Sequence, residues 1–241
     1  MCTVTFIPTE QGFYFTSSRD EKESRVTIPP SIYNSNGIEL LFPKDELAGG
    51  TWIASNKEGR TACLLNGAFI KHRKAKKYSR SRGLIVLESF NYKTANDFYE
   101  QVELRNVEPF TLLTLDYQSG SLDAFYEFRW DGNNKHLKKL SHTENQIWSS
   151  VTLYNTDAQT ARESLFNNWI KKHQFFVDKM ILNFHYRKHG LETSNDIIMK
   201  GKGDLMTLSI SQIQVVQHQA SFNYFDIINK KEYKVKLQKK Q

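Results

Sequence analysis

The chain has 241 residues, 39% of them hydrophobic, and its 16 Phe and 11 Tyr supply enough apolar volume for one substantial core, which excludes an intrinsically disordered protein. Its apolar runs fall far short of a membrane span, and two cysteines cannot build a disulfide framework, so neither an integral membrane protein nor a disulfide scaffold is expected. Much of the net charge of +7 sits in one segment, 71–82, with a second lysine-rich stretch at the C-terminus. The segment has Tyr78 as its single Phe, Tyr or Trp and no recognised binding motif accompanies it, which argues against a nucleic-acid partner.

The chain opens Met1-Cys2. Removal of Met1 would put a thiol and a free α-amine on one residue: the thiolate is a strong nucleophile, and an amine with a reference pKa of about 7.7–8.0 is a base poised near neutral pH. Strands are expected at 2–7 and 12–17, the second ending in small polar residues and the charge triplet Arg19-Asp20-Glu21. Pro8 breaks any secretory hydrophobic region, so a cytoplasmic location is expected.

Pro29-Pro30 reads as a loop, and the segments 51–56 and 61–66 read as a hairpin about Asn56-Lys57-Glu58-Gly59. Cys63 alternates with apolar neighbours on the second strand and is read as a core residue. Residues 71–82 then carry seven Lys/Arg and no acid. This segment reads either as a solvated loop or as an anion site, with Lys74, Lys76, Lys77, Arg80 and Arg82 as its contacts and a helix starting near Gly83.

Helices are expected at 84–90 and 94–104, the latter opened by Thr94 with Asp97 three residues on. A second hairpin, 110–117 with 124–130, turns about Gly120. Helices follow at 157–173 and 177–189, then strands at 206–217, 219–227 and 232–238. His185 and His189 are spaced i,i+4 but lack a carboxylate partner, so they read as a solvated helix face rather than metal ligands, and no metal or cofactor is expected. Ser149 and Ser150 have no recognisable His/Asp partners for a serine triad. Strands early and late with helices between them predict an antiparallel core with helices outside, in one domain over 1–241.

Three segments together carry a resemblance: Met1-Cys2, Ser18-Arg19-Asp20-Glu21, and the run from Gly49-Gly50-Thr51-Trp52 to Asn66. They resemble the NRDE family (transport and Golgi organisation protein 2-like), whose hallmarks are an initial Met-Cys, an Asn-Arg-Asp-Glu signature closing the second strand and a Gly-Gly-Thr-Trp hairpin ending in Asn. Ser79-Arg80-Ser81-Arg82-Gly83 and Trp148-Ser149-Ser150 look like its later landmarks. The first signature position here is Ser18 rather than Asn.

The family is similar to the N-terminal-nucleophile (Ntn) hydrolases of the penicillin V acylase and bile-salt hydrolase branch. That likeness implies an α+β, four-layer αββα sandwich. It also implies Cys2 as nucleophile acting on an amide bond of a small acylated substrate, Asp20 as the acid that holds the N-terminal amine, and Asn66 as an oxyanion-hole residue. Arg19 would favour the thiolate or hold a substrate carboxylate. The acylase Arg position is occupied by Ser17, so the guanidinium is either shifted by two residues to Arg19 or lost. The same resemblance implies an alternative, a non-catalytic carrier of acyl-coenzyme A lipids or haem. Cys2, Asp20 and Asn66 are expected in one pocket, with the first two strands and the 51–66 hairpin as neighbours in a single sheet. No motif sets an oligomeric state.

Overall fold

The computed structural model describes residues 3–118, 121–216 and 219–237; Cys2 and the turn residue Gly120 lie outside them. Fourteen strands and four α-helices are formed in this part of the chain. One sheet has the order β10-β1-β2-β12-β13-β14: Gln146–Ser149, Thr3–Thr9, Gly12–Lys22, Leu205–Val216, Gln219–Asp226 and Lys231–Leu237, with β11 (Lys200–Lys202) also paired to β12. The second runs β3 to β9 in chain order: Thr27–Ser35, Ile38–Asp45, Ile53–Asn56, Arg60–Asn66, Phe110–Gln118, Ser121–Trp130 and Lys135–Lys139. The 51–66 hairpin therefore does not share a sheet with β1 and β2, contrary to the expectation; it faces them across the interior.

Side-chain alternation explains how the sheets stack. Phe13 and Phe15 of β2 meet Cys63 and Leu65 of β6 in the central core, whereas Tyr14 and Leu64 turn outward to separate outer clusters. On the outer face of the second sheet lie α1 (Arg82–Glu88), a 3₁₀ turn (Ser89–Asn91) and α2 (Ala95–Gln101), which press Ile85, Val86 and Phe98 onto Leu40, Ala54 and Leu64. On the outer face of the first sheet lie α3 (Thr156–Lys171) and α4 (Asp178–Tyr186), with Phe166, Ile181 and Phe184 over Ile7 and Tyr14. The result is the four-layer αββα sandwich. Each fully buried Phe contributes about 1.5–3 kcal/mol through removal from water, and Phe6, Phe15 and Phe125 pack together at the centre.

Several elements differ from expectation. β2 continues to Lys22, so Arg19-Asp20-Glu21 lies within the strand. Pro29 and Pro30 sit in β3 rather than a loop, because β3 is an edge strand and its register shifts between Ile28 and Ser31, which removes the need for two ladder donors. Strands β9, β10 and β11 have no clear sequence signal. α4 stops at Tyr186, which leaves His189 off the helix. No helix among the described residues is long and apolar enough to cross a membrane.

Candidate active site

The end of β2 sends alternate side chains to opposite faces. Ser18 and Asp20 turn toward the α3/α4 layer, where Asp20, 2% exposed, accepts hydrogen bonds from Tyr154 Oη at 2.8 Å and Thr207 Oγ1 at 2.6 Å. Arg19 shares the opposite face with Ser17. Its guanidinium stacks 4.7 Å from the centre of the Trp52 ring and donates to Asp45 Oδ2 at 2.7 Å. Burial pushes the Arg19 guanidinium below its ordinary value, opposed by Asp45. Burial also works to raise the Asp45 carboxyl, but the hydrogen bonds from Arg25 and the Ala48 N–H outweigh it and hold that carboxyl below its usual range.

Asn66 enters from the facing sheet, at the end of β6, and its carbonyl accepts from Ser150 Oγ at 2.9 Å. The Gly49-Gly50-Thr51-Trp52 entry to β5 packs against the start of α1. Thr51 N–H donates to the Gly83 carbonyl at 3.2 Å, and a Cβ on Gly50 would stand 2.5 Å from the Gly83 carbonyl carbon, so this approach requires glycine. Arg19, Asp20 and Asn66 thereby line one cleft of about 950 Å³ between the ends of the two sheets.

Of the basic segment, Lys74, Arg80 and Arg82 also line the cleft, whereas Lys76 and Lys77 are exposed and lie outside its lining. Arg80 is tied to Glu88 and to the Glu103 carbonyl, and Arg82 pairs with Glu108 at 3.1 Å. Burial pushes the Arg82 guanidinium below its ordinary value, with Glu108 opposing. Cys63 is wholly buried in the core, which pushes its thiol up to about 12 and makes it inert at neutral pH.

Sequence reasoning missed the groups behind Asp20. Arg162, fully buried, lies 3.7 Å over the Tyr154 ring and donates to Ser149 Oγ at 3.2 Å and the Asp196 carbonyl at 2.7 Å. One signal was available: Ala158, Arg162 and Phe166, at i, i+4 and i+8, form the buried stripe of α3, and a cation on such a stripe needs partners. The reading of His185 as part of a solvated face is overturned. Its ring is wholly buried, with Nε2 at 2.8 Å from Thr5 Oγ1 and Nδ1 at 2.9 Å from Ser18 Oγ. Burial first, then Arg162 and His189, push its pKa down to about 3, so the imidazole is neutral and bridges β1 and β2. Among the described residues no three His, Cys, Asp or Glu side chains gather to hold a metal ion.

A family model described as Transport and Golgi organisation 2 matches residues 1–227. No curated protein matches the chain in sequence. Among solved structures, the chain is similar to the Caenorhabditis elegans orthologue of N-acylethanolamine-hydrolyzing acid amidase, with a TM-score of 0.60 and 10% identity over 88% of this chain and 92% of that one. It is also similar to two variants of the conjugated bile acid hydrolase from Clostridium perfringens. The cysteine-to-alanine variant gives a TM-score of 0.58 and 10% identity over 100% of this chain and 95% of that one. The arginine-to-leucine variant gives a TM-score of 0.59 and 11% identity over 100% and 94%.

Proposed function

Because the chain belongs to the Transport and Golgi organisation 2 family and has the fold of the Ntn-hydrolases, we propose that it is an N-terminal cysteine hydrolase cleaving an amide C–N bond of a small acylated substrate. The observation that carries this reading is the meeting of Asp20 and Arg19 from one sheet with Asn66 from the other, in a cleft at the end of β2. Thr3, the first described residue, pairs with Ser18, the neighbour of Arg19 in β2.

In this reading Met1 is removed and the Cys2 α-amine accepts the thiol proton. Sγ attacks the acyl carbon, and the oxyanion that forms takes a hydrogen bond from the Asn66 amide. The C–N bond breaks as the ammonium returns its proton to the leaving amine, which yields a thioester and a free amine. Water then cleaves the thioester, releasing the carboxylic acid and restoring the thiol. Asp20, its two oxygens held by Tyr154 and Thr207, orients the α-amine and stabilises the positive charge it gains on taking the thiol proton. Arg19, anchored by Asp45 and Trp52, favours the thiolate or holds a substrate carboxylate.

The test is hydrolysis of N-acyl amides by protein with Met1 removed. Cys2→Ala lowers kcat by roughly 10³-fold or more, and Asn66→Ala by about 10²–10³-fold. A second reading, a carrier of acyl-coenzyme A lipids or haem, is favoured by Lys71 and Lys74, which line the cleft without an ion pair to any described residue. Under that reading Cys2→Ala leaves function intact, and salt weakens ligand binding.

A further inference from the structure

The basic segment divides into two halves with different partners. Arg80, Arg82 and His72 are spent on Glu88 and Glu108, whereas Lys71, Arg73, Lys74, Lys76 and Lys77 make no ion pair with any described residue. Arg73, Lys74, Lys76 and Lys77 are exposed. Large aliphatic side chains stand out on both lips of the same cleft. Leu47, 80% exposed, precedes the lining residue Ala48, and Ile70, 78% exposed, precedes the lining residue Lys71. Val26, 56% exposed, joins the first lip through the bond from Glu46 N–H to the Val26 carbonyl at 3.2 Å, and it follows the lining residue Arg25.

We propose that the mouth of the cleft is a docking surface for an anionic lipid bilayer, with Leu47, Val26 and Ile70 entering the acyl boundary and the five unpaired cations meeting acidic headgroups. A nucleic-acid backbone offers nothing to aliphatic side chains at the lips, and a soluble anion in the cleft has no use for cations outside its lining such as Lys76 and Lys77. A bilayer with acidic headgroups uses both. A polybasic patch and shallow apolar insertion are each marginal alone and act together, so both are required for stable attachment. The inference concerns the cleft mouth and stands whether or not Cys2 turns over a substrate.

The test is co-sedimentation of the full chain with phosphatidylcholine vesicles, with and without phosphatidylserine, over a range of salt. The protein partitions onto phosphatidylserine vesicles and is released by salt. The Lys74→Glu/Lys76→Glu/Lys77→Glu variant weakens partition by about one hundredfold or more, roughly fivefold for each positive charge lost, with repulsion from the three glutamates added to that. The Leu47→Ser/Ile70→Ser variant weakens it about tenfold or more, and circular dichroism shows both variants folded. Absence of partition onto phosphatidylserine vesicles overturns the proposal, as does partition that survives the charge reversal. Binding that soluble heparin abolishes while the Leu47/Ile70 variant leaves it unchanged assigns the surface to a soluble polyanion and equally overturns it.

Discussion

Asp20 draws its environment from residues far away in the chain. Tyr154 and Thr207 both donate to it, and neither is marked in the sequence by a motif. Tyr154→Phe removes a bond to a buried carboxyl and should lower stability by about 1.5–3 kcal/mol, read as a shift of the urea midpoint with unchanged slope. An unchanged midpoint would show that this hydroxyl is idle. His185 sets a second expectation. The unfolded imidazole takes up a proton below about 6.5, whereas the folded one resists to about 3. Stability is therefore fully present above that window and falls as pH drops through it, by about 1.4 kcal/mol per pH unit. His185→Gln should flatten this acid limb in urea titrations at several pH values; an identical slope in both proteins would contradict the assignment. Arg19, Asp20 and Asn66 were singled out only through the family resemblance of the segments that carry them, whereas their partners Tyr154, Thr207 and Asp45 belong to no such segment and look ordinary until the chain is folded.

At the level of elements, local chemistry was read best where it closes on itself. Thr94 and Asp97 form a reciprocal capping box at the start of α2, with both bonds at 3.0 Å, as their spacing predicts. Thr94→Ala should cost about 1 kcal/mol, checked by thermal or urea unfolding. The turn from Asn56 to Gly59 also formed: Arg60 N–H donates to Asn56 Oδ1 at 2.7 Å, and Gly59 adopts φ +96°. A Cβ on Gly59 would meet the Tyr117 carbonyl oxygen at 1.9 Å, so Gly59→Ala should destabilise by roughly 3 kcal/mol or more and loosen the β6–β7 end. The hairpin β3–β4 was illegible because tandem proline normally ends a strand, and only its edge position and bulge make it tolerable. The tail of β2 was illegible for the converse reason. Thr16, Ser18, Arg19 and Asp20 are polar yet buried, each satisfied by a partner from another element.

For the whole molecule, alternation within strands and the order of strands and helices foretold a layered α+β fold, but not which sheet each hairpin joins. That assignment depends on pairings between β2 and β12, almost two hundred residues apart, and it makes the cleft a junction of two sheets rather than a groove in one. The arrangement lets Asp20 and Asn66 approach from opposite sides and gives the cleft a mouth with a cationic rim. The central claim is that Cys2, freed by loss of Met1, is acylated in this cleft. Its most direct test is the intact mass of purified protein before and after brief exposure to an excess of a reactive N-acyl amide. The account predicts a starting mass lacking Met1, a single acyl adduct that maps to Cys2, and no adduct in Cys2→Ala. Retention of Met1, or processed protein that never gains an acyl group while the Cys2→Ala variant behaves identically, would contradict it.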